Sequence, residues 1–238
     1  MSSTESFETE RVDRMRHTLS HIMATALTEM YPGIQFGVGP AIKDGFYYDV
    51  DLSRVKTKNG EVVKISDADL SKIEKKMREV IARGFKMQYS EKSRAEALDW
   101  AKQSGQDFKI ELINELPEGE VISFYQLGDF TDLCKGPHIE SDKEVGVFKL
   151  MRVAGAYWQG DENKPMLTRI YGVAFETEDE LKEYLEKIEE AKARDHRKLG
   201  KELDLFCFSD LVGAGLPLFS PRGTILREMM SEYSLSLR

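Results

Sequence analysis

Between Asp13 and Met30 the apolar residues Leu19, Ile22, Met23, Ala26, Leu27 and Met30 recur at helical spacing and fall on one stripe. His17 and His21 lie on the opposite side of that wheel, among Ser20, Ala24, Thr25 and Thr28. The pattern predicts a helix with two jobs: one face for a core, the other for a ligand or a second layer of protein. Strand-like runs follow at residues 45–50 and 61–65, then helices at 67–83 and 93–103. In the first of these helices Leu70, Ile73, Met77, Val80 and Ile81 make the buried stripe, and Gly84 ends it. Four runs rich in β-branched and aromatic residues read as strands: 108–113, 121–125, 147–153 and 166–175. A strongly charged helix is expected over 178–203, with Leu181, Tyr184, Leu185 and Ile188 on one face. Helices and strands are grouped, not strictly alternating. That favours an α+β fold with helices packed on a largely antiparallel sheet.

At 238 residues the chain can hold one substantial domain and part of another. Residues 1–12 are polar and acidic and read as a disordered lead. No apolar run approaches the ~18 residues of a membrane span, and the start does not look like a signal peptide. Two cysteines in unlike contexts do not make a disulfide framework, so a reducing, cytoplasmic setting is expected. The net charge of −8 weighs against nucleic-acid binding. Two local basic clusters could offset it: Lys72, Lys75, Lys76, Arg78, Arg83 and Lys86, and Lys192, Arg194, Arg197, Lys198 and Lys201. Interleaved acids give both a plainer reading, as solvated helix faces.

The chemistry concentrates in two short strings. HTLSH carries His17 and His21; DLCKGPH carries Asp132, Cys134 and His138. The chain has only four histidines and two cysteines, and four of these six residues sit in matched pairs four apart. Gly136 and Pro137 interrupt the second string, one permissive and one rigid, so they can turn Cys134 and His138 toward a shared point. Alone, Cys134 would read as a small buried hydrophobe. Three imidazoles and a thiol brought together suit zinc in a tetrahedron. They equally suit metal-free hydrolysis, with imidazoles positioning or deprotonating a water. Spacing does not choose between the two.

A longer match narrows the field. The stretch RHTLSHIMATALTEMYPGIQFGVGPAIKDGFYYD (16–49), then DFKIELI (107–113), FYQLGDFTDLCKGPHIES (124–141) and RVAGAYWQGDENKPMLTRIYGVAFETEDEL (152–181), resembles the editing region of the threonyl-tRNA synthetases. Alanyl-tRNA synthetase editing domains share the paired His/His and Cys/His but not these flanking strings. The resemblance implies an editing domain over 13–176, a linker helix over 177–203, and the truncated start of a class II catalytic domain over 204–238. It implies a fragment of threonine–tRNA ligase, with the ubiquitin-like N-terminal domain and most of the catalytic core missing. ATP and the ligase's zinc belong to that core.

The implied reaction is hydrolysis of serine mischarged onto tRNA(Thr). A synthetic site cannot easily reject serine, which lacks one methyl group worth ~1–3 kcal/mol. The editing pocket must admit serine and exclude threonine. The resemblance assigns His17, His21, Cys134 and His138 to the pocket around the terminal adenosine and seryl group. It gives Asp132 the substrate's amine or hydroxyl. Lys109 is expected to pair with His17 in handling the attacking water, with Cys134 helping to position it. Tyr47, Tyr125 and Gly136 are expected to contact substrate. Lys135 departs from the family's usual arginine or small residue. The threonyl editing domains work without metal, so none is expected, with zinc on His17, His21, Cys134 and His138 the alanyl-type alternative. The implied partner is the acceptor end of tRNA(Thr) carrying serine; the resemblance implies a homodimeric parent enzyme and a monomeric fragment. A freestanding trans-editing deacylase and a non-catalytic tRNA-binding module are the competing functions.

Overall fold

No glycine or proline interrupts residues 3–30, and the computed structural model makes all of them one helix, α1 (Ser3–Met30). The structure describes residues 3–84, 86–141, 144–213 and 215–238. From Ser3 onward the segment read as a disordered lead is thus the first turns of α1, and residues 1–2 lie outside the described residues. The chain divides into two units, Met1–Leu181 and Lys182–Arg238.

In the first unit α1 packs on a sheet of five strands: β1 (Gln35–Phe36), β2 (Ala41–Ile42), β3 (Gly45–Asp51), and two later strands that complete it. After a 3-10 turn at Asp67–Asp69 comes α2 (Leu70–Ala82), which presents Leu70, Ile73, Met77 and Val80 to the core. The turn Thr57–Gly60 leaves only a single bridge, Lys56 to Val62, where a strand over 61–65 was expected. Val62 is exposed, so its run has no sheet to join.

A second, three-stranded antiparallel sheet is made by β4 (Gln88–Lys92), β5 (Ile122–Leu127) and β6 (Phe130–Leu133). Between β4 and β5 lie α3 (Arg94–Gln103) and α4 (Asp107–Glu115). Ser93 caps α3, accepting from the amide of Glu96, whose carboxylate takes the Ser93 N–H in return. The segment DFKIELI is α4, not the strand its alternation suggested. Its apolar residues divide between two cores. Phe108 and Leu112 pack with Trp158 and Leu167, whereas Ile113 and Ile110 pack with Ala97, Ala101 and Phe124. A strand would put Phe108, Ile110 and Leu112 on one face, whereas the helix can divide them between the two cores.

The large sheet closes with β7 (Val147–Tyr157) and β8 (Met166–Phe175), in the order β1-β3-β8-β7, with β2 also pairing β3. All pairings are antiparallel. Its inner residues Phe46, Tyr48, Val50, Phe148, Leu150, Ile170 and Ala174 form one core with Leu19, Ile22, Met23, Ala26 and Leu27 of α1.

The second unit contains most of α5 (Glu178–Ala193), then α6 (His196–Glu202), the short pair β9 (Phe206–Cys207) and β10 (Leu218–Phe219), and α7 (Pro221–Ser236). The single helix expected to Leu203 is broken at Asp195, whose side chain caps α6 by accepting the Arg197 amide. Ser220 and Pro221 start α7 in the same manner. No helix among the described residues is long and apolar enough to cross a membrane.

The β3–β8 ladder is tightest at Gly45, where an added Cβ would lie 2.1 Å from the carbonyl oxygen of Gly172. That neighbour is backbone and cannot rotate away. Gly45→Ala is expected to lower unfolding stability by about 3 kcal/mol, measured by urea denaturation; a change within experimental error would show that the ladder separates freely.

Candidate active site

Two segments 117 residues apart meet at one point. From α1 come His17 and His21, four apart and therefore on one face. From the loop after β6 come Cys134 and His138. Ser123 on β5 anchors that loop: Cys134 N–H donates to its carbonyl (3.1 Å), and its hydroxyl donates to the Cys134 carbonyl (2.7 Å). Gly136 follows with φ +67°, and a Cβ there would strike the Tyr125 hydroxyl at 2.5 Å. Only glycine fits both the conformation and the space. The Gly136–Pro137 peptide is cis.

The Cys134 Sγ lies 3.3 Å from His17 Nε2 and 3.3 Å from His138 Nε2, and accepts the Gly136 N–H at 3.2 Å. The His17 and His138 rings stack at 4.2 Å, and His21 meets His138 edge-on at 4.4 Å. One ligand atom from each of the four residues lies within 4.8 Å of the others. His17 Nδ1 faces the Pro137 carbonyl at 3.2 Å. A carbonyl only accepts, so Nδ1 carries the proton and Nε2 points a bare lone pair at the thiol.

Burial keeps these groups neutral. It lowers His17 below the usual imidazole range, against the raising influence of the Pro137 hydrogen bond and Asp132. It lowers His21 further, with the proximity of His17 and Lys109 adding to the effect. His138 is depressed by burial and by its two histidine neighbours. Burial also pushes the Cys134 thiol up to about 12, with the Gly136 amide opposing. The 3.8 Å approach of His21 Nε2 to Asp132 is accordingly a contact of a neutral ring, not an ion pair.

Behind the cluster sits a charged pair almost wholly out of water. Lys109 Nζ is 2.6 Å from Asp132 Oδ1, with side-chain exposures of 3% and 5%. The Tyr48 hydroxyl donates to the other Asp132 oxygen and lies 3.5 Å from the ammonium. Burial and the adjacent carboxylate raise Tyr48 well above its ordinary range, so it stays a donor.

The structure therefore brings together six of the expected residues: His17, His21, Lys109, Asp132, Cys134 and His138. Tyr125 joins them, its ring 4.4 Å from His138, and so does Gly136 beneath it. Tyr47 does not. It lies on the other face of β3, against Tyr171 and under the Arg169 guanidinium. Its neighbour Tyr48 is the residue that sequence reasoning missed; the alternation of Phe46, Tyr48 and Val50 on the core face was the available signal. Much of the first basic cluster is neutralised, with Lys76 and Arg83 on Glu29, Lys72 on Asp69 and Arg78 on Glu74.

Cavities of about 430 and 610 Å³ open beside His138, one lined also by Arg14 and Glu144, the other by Met87 and Tyr125. A third, of about 230 Å³, reaches Lys109 and Asp132 from the side of Phe36, Trp100 and Thr131.

Residues 122–171, which carry Asp132, Cys134 and His138, match the family model for the threonyl and alanyl tRNA synthetase second additional domain. Whole-chain relatives extend the match beyond that segment. Threonine–tRNA ligases of Porphyromonas gingivalis (51% identity over 91% of this chain and 32% of the relative), Aquifex aeolicus (49%, 94% and 34%) and Geobacillus sp. (46%, 94% and 33%) align with nearly all of it. Over nearly its whole length the chain is similar to the threonine–tRNA ligases. It spans about a third of the length of these relatives. The threonyl-tRNA synthetase resemblance thus accounts for the histidine helix, α4 and the Cys–His loop together.

Two expectations follow from this geometry. Lys109→Met strands a buried carboxylate and should destabilise by about 3–5 kcal/mol, whereas adding Asp132→Asn to it should cost less than the two single changes summed. Denaturant titration of the four proteins closes that cycle, and strict additivity would dissolve the pair. Acidification should destabilise the fold through His17, His21 and His138. Folded values below the unfolded one near 6.5 mean that the unfolded chain binds more protons. Their stabilisation is present above about pH 6.5 and is lost as pH falls beneath it. Unfolding free energy measured downward from pH 8 should decline more steeply in wild type than in His21→Phe; parallel curves would show that the buried imidazoles titrate normally.

Proposed function

We propose that this region hydrolyses the ester of seryl-tRNA(Thr), releasing serine and tRNA(Thr). One observation carries the reading: three neutral imidazoles and a thiol converge on one point, backed by a buried Lys–Asp–Tyr network. Such an arrangement offers unprotonated nitrogens at neutral pH and a fixed positive charge, which ester hydrolysis by water requires.

His17 takes the water's proton on Nε2 as the water oxygen bonds to the ester carbonyl carbon. The resulting oxyanion develops in the field of the Lys109 ammonium. When the tetrahedral intermediate collapses, the bond to the ribose oxygen breaks and that oxygen recovers the proton from His17. Asp132, held by Lys109 and Tyr48, keeps acceptor capacity for the seryl ammonium, since each carboxylate oxygen accepts two bonds. Cys134 stays a neutral thiol and orients the water between His17 and His138. The cavities beside His138 provide room for the terminal nucleotide, with the Tyr125 ring as a wall.

A metal-supported version of the same reaction is favoured by a specific observation. The donor set His17, His21, Cys134 and His138 lies within metal-binding reach, and His21 Nδ1 is buried without a hydrogen-bond partner among the described residues. Zinc held there would lower the pKa of a bound water and polarise the carbonyl. We favour the metal-free form because Lys109 already supplies a buried cation at Asp132.

The test uses tRNA(Thr) charged with serine or threonine. The chain should deacylate the seryl form at least ~10-fold faster, and His17→Ala should lower kcat by ~10²-fold or more. Equal hydrolysis of both, or of neither, would remove the proofreading assignment. Metal analysis of protein purified without added zinc accompanies it: near-stoichiometric zinc, lost together with activity on chelation, would overturn the metal-free form.

A further inference from the structure

The cluster has more lone pairs than protons, and Thr18 decides whether that surplus survives. Thr18 is fully buried on α1, one residue after His17. Its hydroxyl oxygen lies 2.9 Å from the Arg14 carbonyl, 3.1 Å from His138 Nδ1 and 3.1 Å from the Ile139 amide nitrogen. It has one proton to give. The carbonyl four residues back is the nearest acceptor, and Thr25 and Thr28 on the same helix bond their own i−4 carbonyls at 2.8 and 2.9 Å. With that proton spent on Arg14, the oxygen can only accept, and its two lone pairs match the two remaining neighbours.

We infer that Thr18 is a positioning residue that fixes His138 as the Nδ1–H tautomer, leaving its Nε2 bare toward Cys134. This rests on the hydrolytic reading above and adds a requirement to it. His17 is already fixed in the same tautomer by Pro137, so two bare nitrogens face one thiol. Cys134 has a single proton and can satisfy only one of them. The other is therefore always free to accept from a water or a substrate N–H.

Without Thr18 the bookkeeping closes on itself. A His138 protonated on Nε2 donates to the sulfur, the thiol proton turns to His17, and neither nitrogen that faces the thiol is left open. The two locks are reciprocal: the loop holds the helix histidine through Pro137, and the helix holds the loop histidine through Thr18. Neither ring can slip without the docking of the other segment changing.

The experiment is nitrogen NMR of the full 238-residue chain labelled in histidine, alongside deacylation kinetics with seryl-tRNA(Thr). Wild-type His138 should carry its proton on Nδ1. Thr18→Val, nearly isosteric but without the hydroxyl, should move it to Nε2 and lower kcat at least ~10-fold with KM little changed. Thr18→Ser, which keeps the hydroxyl, should restore both. A wild-type His138 protonated on Nε2 overturns the inference, and this needs no variant to fold. An unmoved proton in folded Thr18→Val, or a moved proton with unchanged turnover, does so as well. Absence of seryl-tRNA(Thr) deacylation by wild type would instead defeat the hydrolytic reading, while the spectrum still reports on Thr18.

Discussion

A lysine ammonium and a carboxylate, both almost wholly shielded from water, hold the first unit's functional architecture in place. Lys109 comes from α4, Asp132 from β6, and Tyr48, which bonds the same carboxylate, from β3. Three elements that belong to different layers are thus tied at one spot. Desolvating two charges is costly, and their attraction offsets that cost only while the geometry stays good and the remaining lone pairs are filled. Tyr48 fills one of them. The pair is consequently a poor stabiliser and a strong constraint: almost any other register of α4 or β6 leaves a bare charge in the core.

That constraint explains what was legible in the sequence and what was not. The paired histidines, the Cys–His loop and the core stripe of α1 could be read from spacing, because each depends on local periodicity. The strands around residues 45–50, 147–153 and 166–175 were legible for the same reason. DFKIELI was misread because Phe108, Ile110 and Leu112 alternate like a strand. What settles the segment as helix is tertiary: two separate cores pull on its two sides while Lys109 is drawn inward to Asp132. Local pattern cannot report a partner 23 positions away. The choice of Tyr47 over Tyr48 failed for a smaller reason, since adjacent strand residues face opposite ways and one register step exchanges them. Likewise the break at Asp195 was hidden within a uniformly charged run, where a capping aspartate looks like one more acid.

Electrostatics at the site follow from this shielding rather than from any single partner. Three imidazoles packed within stacking distance could not all be charged, and burial settles each as neutral. The same burial holds the thiol protonated. A cluster of four potent groups is therefore uncharged at neutral pH, with the Lys109 ammonium placed behind it and balanced by Asp132. Such a site admits a polar, protonated substrate without first expelling an ion. An overall charge of −8 does not contradict the proposed reaction, which calls for recognition of an ester and an ammonium, not of a long phosphate backbone.

Proton bookkeeping then links geometry to chemistry more tightly than distance alone. Four residues within reach of one another can either saturate each other's hydrogen bonds or remain hungry, and the difference lies in which ring nitrogen bears a hydrogen. Pro137 fixes that choice for His17 by offering an oxygen that can only accept. His21 keeps a buried Nδ1 with no hydrogen-bond partner among the described residues. An unfilled acceptor inside a protein carries a cost that a fold has no reason to keep unless something arrives to fill it. Water, a substrate ammonium or a metal ion would each do so, and all three are reagents or aids for breaking an ester. The arrangement is therefore better understood as a site kept short of protons than as a core that happens to contain histidines.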